Sequence, residues 1–398
     1  MNPVEIRADG LLLRPWTASD AEAVHRACQD PELHRWLTGL PWPYRMADAA
    51  AFVGELAPRW LADGRALHLG VFGPDGLVGS VALNAIDRDA GTAEIGYWSA
   101  PWARGRRIAE HASRALLSWA FTSSGPDATG GPNAGSGPNA GSGPNADSGL
   151  GLARVDWRAT FGNHGSRLTA LRLGFRMIGE RPAGKAEPGR WLAALVPDDL
   201  TAAGHEVPEA VRRSARTFGG ARPTLSAGAL TLRPPAIRDL SAILETRRDP
   251  EVARWFKVPQ PYSEADALAH VEQAAPGRWA RGVEAVFAIA DRDDAYAGQV
   301  DLQIRSGDPA MAEVGFMVSP RARGRGYAVA AARAACGWGF DALGLARIQW
   351  RAEVGNNASR RVAERAGFTM EGVQRQALGI GGQRRDCWVG ALVRGEST

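Results

Sequence analysis

The stretch Arg321-Ala322-Arg323-Gly324-Arg325-Gly326 has the composition of an anion-binding loop. Before it, Glu313–Val318 reads as a strand ended by Ser319-Pro320. After it, Val329, Ala332, Cys336, Phe340 and Leu343 recur at helical spacing, which predicts a helix over Gly326–Leu343. A helix start presents N–H groups without acceptors and a partial positive charge, so it suits a phosphate. Glycines let that backbone approach closely, and neighbouring arginines add field. Arg-Gly clusters also occur in surface loops and RNA-binding tails. Here the strand before and the helix after favour the phosphate reading, and RNA association through Arg321–Arg325 is disfavoured at a fold junction.

The surrounding pattern supplies elements to hold such a loop. Strands are predicted at Ala229–Arg233, Val286–Ala290, Gly298–Ile304, Ile348–Val354, Thr369–Arg375 and Arg385–Val393. Helices are expected over Ile237–Arg248, after the Ser263-x-x-Asp266 capping pattern, and over Asn356–Ala366. In the last of these Asn356 is the N-cap and Gly367 takes the C′ position. The fold class is therefore α/β, a mixed sheet with helices on its faces.

The chain repeats itself. Leu13-Arg14-Pro15 recurs 219 residues later as Leu232-Arg233-Pro234. The same offset carries Asp30-Pro31-Glu32 onto Asp249-Pro250-Glu251, Trp60 onto Trp279, Glu94-Ile95-Gly96 onto Glu313-Val314-Gly315, and Trp119 onto Trp338. Farther on the offset falls to 193, taking Gly162-Asn163, Ser166 and Gly174-Phe175 onto Gly355-Asn356, Ser359 and Gly367-Phe368. The difference is an insertion over 123–148, built from Gly-Pro-Asn-Ala-Gly-Ser repeats that cannot bury a core. We read it as a tolerated flexible expansion, with a partner-binding tether as the alternative. Two domains of one fold follow, 1–200 and 224–398, joined by a connector over 201–223.

Bulk properties narrow the classes. With 47 basic and 43 acidic residues the formal charge is only +4, and a dedicated nucleic-acid binder concentrates its charge more than this. No run of about 18 apolar residues is present, so no membrane span is expected. Met1–Pro15 lacks a basic-then-apolar leader, and secretion is not expected. Cys28, Cys336 and Cys387 are scattered, which fits a reducing cytoplasm and no metal site. Lys185 and Lys257 are the only lysines, an arginine bias that fits a GC-rich genome and carries no functional weight.

The loop and its flanks resemble the GNAT acetyltransferase superfamily, whose signature at this junction is Gln/Arg-x-x-Gly-x-Gly/Ala. Within it the chain is similar to the branch of ribosomal-protein-alanine (Rim-type) acetyltransferases. The carriers are Leu232-Arg233-Pro234, Asp249-Pro250-Glu251, Asn356-x-x-Ser359, Gly367-Phe368, Glu371-Gly372 with Arg375, and Arg385-Asp386. The resemblance covers both domains and implies tandem acyl-CoA N-acyltransferase units. It implies acetyl-CoA as co-substrate, no metal, and a pantetheine arm between the strands Glu313–Val318 and Ile348–Val354. Backbone N–H groups near Met317 and Val318 would polarise the thioester carbonyl. Arg321, Arg323, Gly324, Arg325, Gly326, Tyr327 and Ala328 would hold the pyrophosphate, with Asn356 alongside. Glu313 is either the general base or a strand-edge carboxylate that orders nearby arginines. The tyrosine that many members use as proton donor is missing, since that stretch reads Arg361-Val362-Ala363-Glu364. Ser359 is the substitute, although Ser359 and Asn356 are equally readable as capping residues.

The first domain is expected to be degenerate. Its loop reads Trp102-Ala-Arg104-Gly105-Arg106-Arg107, so Trp102 stands for the leading arginine and Arg107 for the final glycine. Such a domain would serve packing or substrate enclosure, unless Arg107 itself reaches a phosphate. Most of the 14 tryptophans recur between copies, which favours packing. Trp42 and Tyr44, and in the second domain Phe256 and Tyr262, are the candidates for a substrate pocket. The expected acceptor is a primary amine on a peptide N-terminus or small molecule, with no nucleic-acid or membrane partner, for a monomer or homodimer. The competing reading is a non-catalytic acyl-CoA sensor or scaffold.

Overall fold

The computed structural model describes residues 3–123, 149–185, 187–256, 259, 261–380 and 383–396. Apart from Ser123, the Gly/Pro/Asn/Ser insertion lies outside the described residues. The chain divides into two compact units, Met1–Val207 and Pro208–Thr398. Within the stretch read as a connector, helix Glu209–Phe218 belongs to the second unit. Its Phe218 is buried there, edge-on to Trp279 with ring centroids 4.7 Å apart.

Each unit is built on one eight-stranded mixed sheet, with the same strand order in both. In the first, the strands lie in the order Ile6–Ala8, Leu11–Pro15, Leu67–Gly73, Gly76–Asp87, Thr92–Ser99, Arg154–Thr160, Arg190–Leu195, Arg176–Arg181. In the second, they run Leu225–Ala227, Leu230–Arg233, Glu284–Ala290, Tyr296–Arg305, Asp308–Val318, Arg347–Glu353, Gln383–Val393, Thr369–Ile380. Neighbours are antiparallel except at the middle of each sheet, where Thr92–Ser99 pairs with Arg154–Thr160, and Asp308–Val318 with Arg347–Glu353, in parallel. A parallel pair needs a long crossover, and a helix supplies it in each unit.

In the second unit that crossover is helix Tyr327–Trp338, continued by the wider π-type turn Gly339–Leu343. It buries Ala331, Ala332, Ala335 and Cys336 against Val300, Leu302, Val314, Ile348 and Trp350. Small side chains on the helix bring it close to the sheet, and larger ones on the sheet fill the layer. A fully buried leucine such as Leu302 contributes about 1.5–3 kcal/mol.

The repeated motifs turn out to be helix caps and their anchors. Arg14 donates two hydrogen bonds of 2.8 Å to Asp20, whose carboxylate also accepts from Thr17 N. Arg233 grips Asp239 at 2.8 and 2.9 Å, and Asp239 accepts from Ala236 N. This fold-back breaks the helix expected over Ile237–Arg248 into a 3-10 turn, Ile237–Asp239, and a helix, Leu240–Arg248. The helix opened by Ser263 also comes in pieces, Glu264–Ala269, a π-type turn His270–Ala274, and Ala275–Arg281. Pro276 has no N–H to give, so the helix widens before it. Phe52–Leu56 before Pro58 repeats the device in the first unit.

Candidate functional site

The parallel pair at the centre of the second sheet is short. Asp308–Val318 and Arg347–Glu353 are in register only at Met311/Arg347, Ala312/Ile348 and Glu313/Gln349. Beyond Glu313 the two strands part, while the first of them stays paired on its other side as far as Val318. Backbone groups of Val314–Val318 on the parted side are thus free to pair with an extended ligand, as an added strand would. Gly298 permits this geometry, since a Cβ there would lie 2.3 Å from Met317 O. The first unit parts in the same way after Glu94/Asp156.

The Arg-Gly loop follows at the end of the parted strand. Gly324 and Gly326 adopt φ of 77° and 76°, the left-handed region, and Gly326 is the N-cap of helix Tyr327–Trp338. The first N–H groups of that helix, from Tyr327 and Ala328, have no intrahelical acceptor. Arg321 is turned to another task. It donates to Tyr296 O at 2.6 Å and so ties the loop to the neighbouring strand. Arg323 pairs with Asp249, the N-cap of helix Pro250–Trp255. Among the described residues no carboxylate pairs with Arg325 or with Arg333, one turn inside the helix.

The first unit is built differently at this point. Trp102 Nε1 donates to Leu77 O at 2.9 Å, the carbonyl equivalent to that of Tyr296, so its indole replaces the guanidinium of Arg321 as an anchor. Arg107 sits at φ 57° where Gly326 stands in the second unit. Its guanidinium binds Glu110 at 2.8 and 2.6 Å, and Arg114 and Arg172 approach the same carboxylate at 3.4 and 3.9 Å. Glu110 is buried at the helix start, where Val329 stands in the second unit.

Asn356 caps helix Asn357–Ala366 by accepting from Ser359 N at 3.1 Å. Ser359 Oγ in turn accepts from Trp350 Nε1 at 3.0 Å, and its hydroxyl has no acceptor among the described residues. Ser166 repeats the arrangement with Trp157, but its hydroxyl donates to Tyr97 Oη at 3.2 Å, a partner that Phe316 cannot supply in the second unit. Glu313 is held by Arg351 at 2.8 Å and Arg305 at 3.3 Å, and Glu94–Arg158 repeats the first of these pairs at 2.9 Å. The Glu313 group lines an open cavity of about 570 Å³ together with Gln303, Arg305, Met311 and Arg351. Phe256 is half-buried at the end of helix Pro250–Trp255. Tyr262 is 2% exposed and packs in the core with Ile243, Val271 and Tyr296, its ring beneath Arg247, so it offers a pocket no open face.

Sequence reasoning did not single out a polar cluster on the sheet face opposite helix Tyr327–Trp338. Gln299 Oε1 accepts from Arg247 at 3.1 Å and lies 3.0 Å from His270 Nε2, which leaves Gln299 Nε2 to donate to Asp301 at 3.1 Å. Gln303 Nε2 donates to the other Asp301 oxygen at 3.0 Å, and Arg278 pairs with Glu284 at 2.8 Å. Burial holds His270 down to about 4, and it raises both Glu284 and Asp301 above the usual carboxylate range. The alternation of Gln299, Asp301 and Gln303 along one strand was the available signal. Among the described residues no cluster of side chains could hold a metal, and no helix is long and apolar enough to cross a membrane.

The acetyltransferase (GNAT) domain matches residues 10–176 and 229–369, more than half of the chain and one stretch in each unit. The chain is 33% identical over 104 residues to YdaF of Bacillus subtilis (strain 168), named as a ribosomal N-acetyltransferase, spanning 26% of this chain and 57% of that protein. It is 29% identical over 174 residues to the N-acetyltransferase YoaA of the same strain, 43% of this chain and 97% of YoaA. It is 27% identical over 165 residues to the spermidine N(1)-acetyltransferase of Escherichia coli (strain K12), 40% of this chain and 84% of that protein. A solved structure of Mycobacterium smegmatis RimJ with CoA-disulfide matches with 22% identity and a TM-score of 0.40, over 44% of this chain and 88% of RimJ. The chain belongs to the GNAT family of N-acetyltransferases and carries two such domains in tandem.

Proposed function

We propose that the second unit moves an acetyl group from acetyl-CoA to a primary amine, on a peptide N-terminus or a small molecule, by direct attack in a ternary complex. The observation that carries this reading is a parted strand pair leading into a glycine-opened helix that has no carboxylate of its own. The free edge of Val314–Val318 would take the pantetheine amides, and N–H groups near Met317 and Val318 would stabilise the oxyanion. The Arg323–Ala328 backbone would hold the pyrophosphate. Ser359 would protonate the departing thiolate, because the Trp350 N–H on its oxygen leaves the hydroxyl hydrogen free to be given. Glu313 would order Arg351 and Arg305, and its twin Glu94 repeats the first of these pairs with Arg158. Most of the remaining acceleration is the positioning of two bound substrates. The relatives named for ribosomal and spermidine N-acetylation support an amine as the acceptor class.

In the first unit Glu110 takes the place of a bound anion, so we assign that unit no transfer. A carboxylate held by three arginines at the helix start repels a pyrophosphate and occupies its donors.

The test is acetyl-CoA turnover across a panel of primary amines, with products detected by mass, for the wild type and Gly326→Trp. Amine-dependent CoA release and an N-acetylated product are expected from the wild type. Gly326→Trp should bind no CoA yet remain folded, since Arg107 already shows that a non-glycine residue is accepted in this conformation. Tight CoA binding with no amine acetylated would favour a sensor or scaffold. Unchanged CoA affinity in the variant would move the site elsewhere.

A further inference from the structure

Amine transfer needs a group that holds the cationic acceptor and takes its proton, and Glu313 is committed to arginines. We propose that Asp301 is that group, acting from beneath Gly315 where the two central strands begin to part. The inference rests on the amine-acceptor reading of the same site.

Position comes first. Asp301 and Gly315 are partners across neighbouring strands. A Cβ added at Gly315 would lie 2.8 Å from Asp301 Oδ2. The carboxylate therefore fills the room a side chain at 315 would take, one step beyond the last paired position of the central strands. An acceptor that approaches the parted strands from this face meets Asp301.

Asp301 is 6% exposed, and among the described residues its oxygens receive only the two glutamine amides. The other carboxylates of this face have arginine partners, Glu284 with Arg278, Glu313 with Arg351 and Glu353 with Arg385. Among the described residues no cation lies within ion-pair distance of Asp301. A buried carboxylate without a counterion is costly, and an incoming ammonium would supply one. The cover is light, because Gln303, which caps the outer oxygen, is itself exposed.

The fold does not require this residue. In the first unit the positions of Asp301, Gln299 and Glu284 are held by Ala82, Ser80 and Ala66. The same strands form there with the same partners.

In the reaction Asp301 accepts one proton from the ammonium, and the freed lone pair forms the C–N bond at the thioester carbon. When the tetrahedral adduct collapses, the C–S pair leaves on sulfur. The surplus proton of the attacking nitrogen ends on the thiolate through Ser359. The products are the amide, the free thiol and a protonated Asp301 that returns its proton to water. The charged and titratable groups around Asp301 are Arg247 from helix Leu240–Arg248, His270 from the π-type turn, Arg278 from helix Ala275–Arg281 and Glu284 from the neighbouring strand, with the Glu313–Arg351 pair at the splay. Burial raises its pKa against the lowering pull of the two amides and of Arg278 and Arg247.

The experiment compares the wild type with Asp301→Asn and Asp301→Ala, full-length and saturated with CoA. Calorimetric titration with n-butylammonium chloride reads the holding role. Loss of a charge-assisted contact should weaken this probe about 10- to 100-fold while leaving CoA affinity unchanged. Transfer to the same amine reads proton removal, with kcat expected to fall about 100-fold or more and the acid limb of the kcat/KM profile to disappear. An Asp301→Asn protein with wild-type ammonium affinity and an unchanged pH profile overturns the proposal, and so does a wild type that does not bind the probe. If every amine fails to react while butylammonium binds in an Asp301-dependent way, the transfer reading falls and this subsite stands.

Discussion

At the start of its long helix the first unit carries Arg107 and Glu110 where the second carries Gly326 and Val329. Strand order, parted strands, helix caps and loop anchors are otherwise alike in the two units. On the proposed function, an anion site is lost here without being dismantled, because a carboxylate of the protein settles among the donors an outside anion would use. The Trp102–Arg321 difference stands out most in the loop signature, yet both side chains donate to the equivalent carbonyl. The second contrast lies on the opposite sheet face. There the second unit buries His270, Gln299 and Asp301 beneath a half-buried Arg247, at positions where the first has Phe52, Ser80, Ala82 and Cys28.

The strongest way to break this comparison is to convert one unit toward the other. Arg107→Gly with Glu110→Val should let the first unit bind CoA, raising the calorimetric stoichiometry from one to two per chain. Glu110 must go with Arg107, since Glu110 left behind would keep Arg114 and Arg172 and still repel a pyrophosphate. A stoichiometry that stays at one would mean that the first unit lost its site for some other reason.

A smaller effect separates the two serines. Ser359→Ala and Ser166→Ala each leave a tryptophan N–H without its acceptor, so both should cost about 1–2 kcal/mol in denaturant unfolding. Only Ser359→Ala should also lower kcat, about 10- to 100-fold, with CoA affinity intact. If kcat is unchanged in both, Ser359 is a capping residue and nothing more.

The reach of sequence reasoning follows from the range of the forces involved. The Arg321–Gly326 loop, the Asn356 cap and the Ser263 capping box depend on residues within a few positions of one another, and all were legible. The Arg321 anchor lies 25 residues back along the chain, and nothing in the loop announces it. Glu110 looks like any acidic residue in a first helical turn until Arg172, on another helix, is brought against it. The Asp301 cluster draws on separate helices and strands, so only the polar alternation at 299, 301 and 303 hinted at it. Helix Glu209–Phe218 lies in the stretch read as a connector, and its membership of the second unit rests on Phe218 meeting Trp279, a contact 61 residues away in sequence.

The finest test of the comparison uses pH, because the buried cluster holds titrations that the first unit lacks. Glu284 is raised from 4.5 to about 7, so between those values the folded state keeps a proton that the unfolded chain has released. That contribution makes stability fall as pH rises, and Asp301, raised as well, adds to it. His270 is lowered from 6.5 to about 4, so between those values the unfolded chain holds the extra proton and stability rises with pH. The two slopes oppose each other where the windows overlap, and the wild type should be nearly flat there. His270→Phe, which installs the residue of the first unit, should leave a stability that falls by about 2–3 kcal/mol from pH 4.5 to 7. Glu284→Gln should tilt the curve the other way, with stability rising from pH 4 to 6.5. Urea midpoints across this range are the measurement. Equal slopes in the wild type and both variants would mean that the cluster opens to water in solution, and the contrast between a polar and an apolar interior would lose its energetic content.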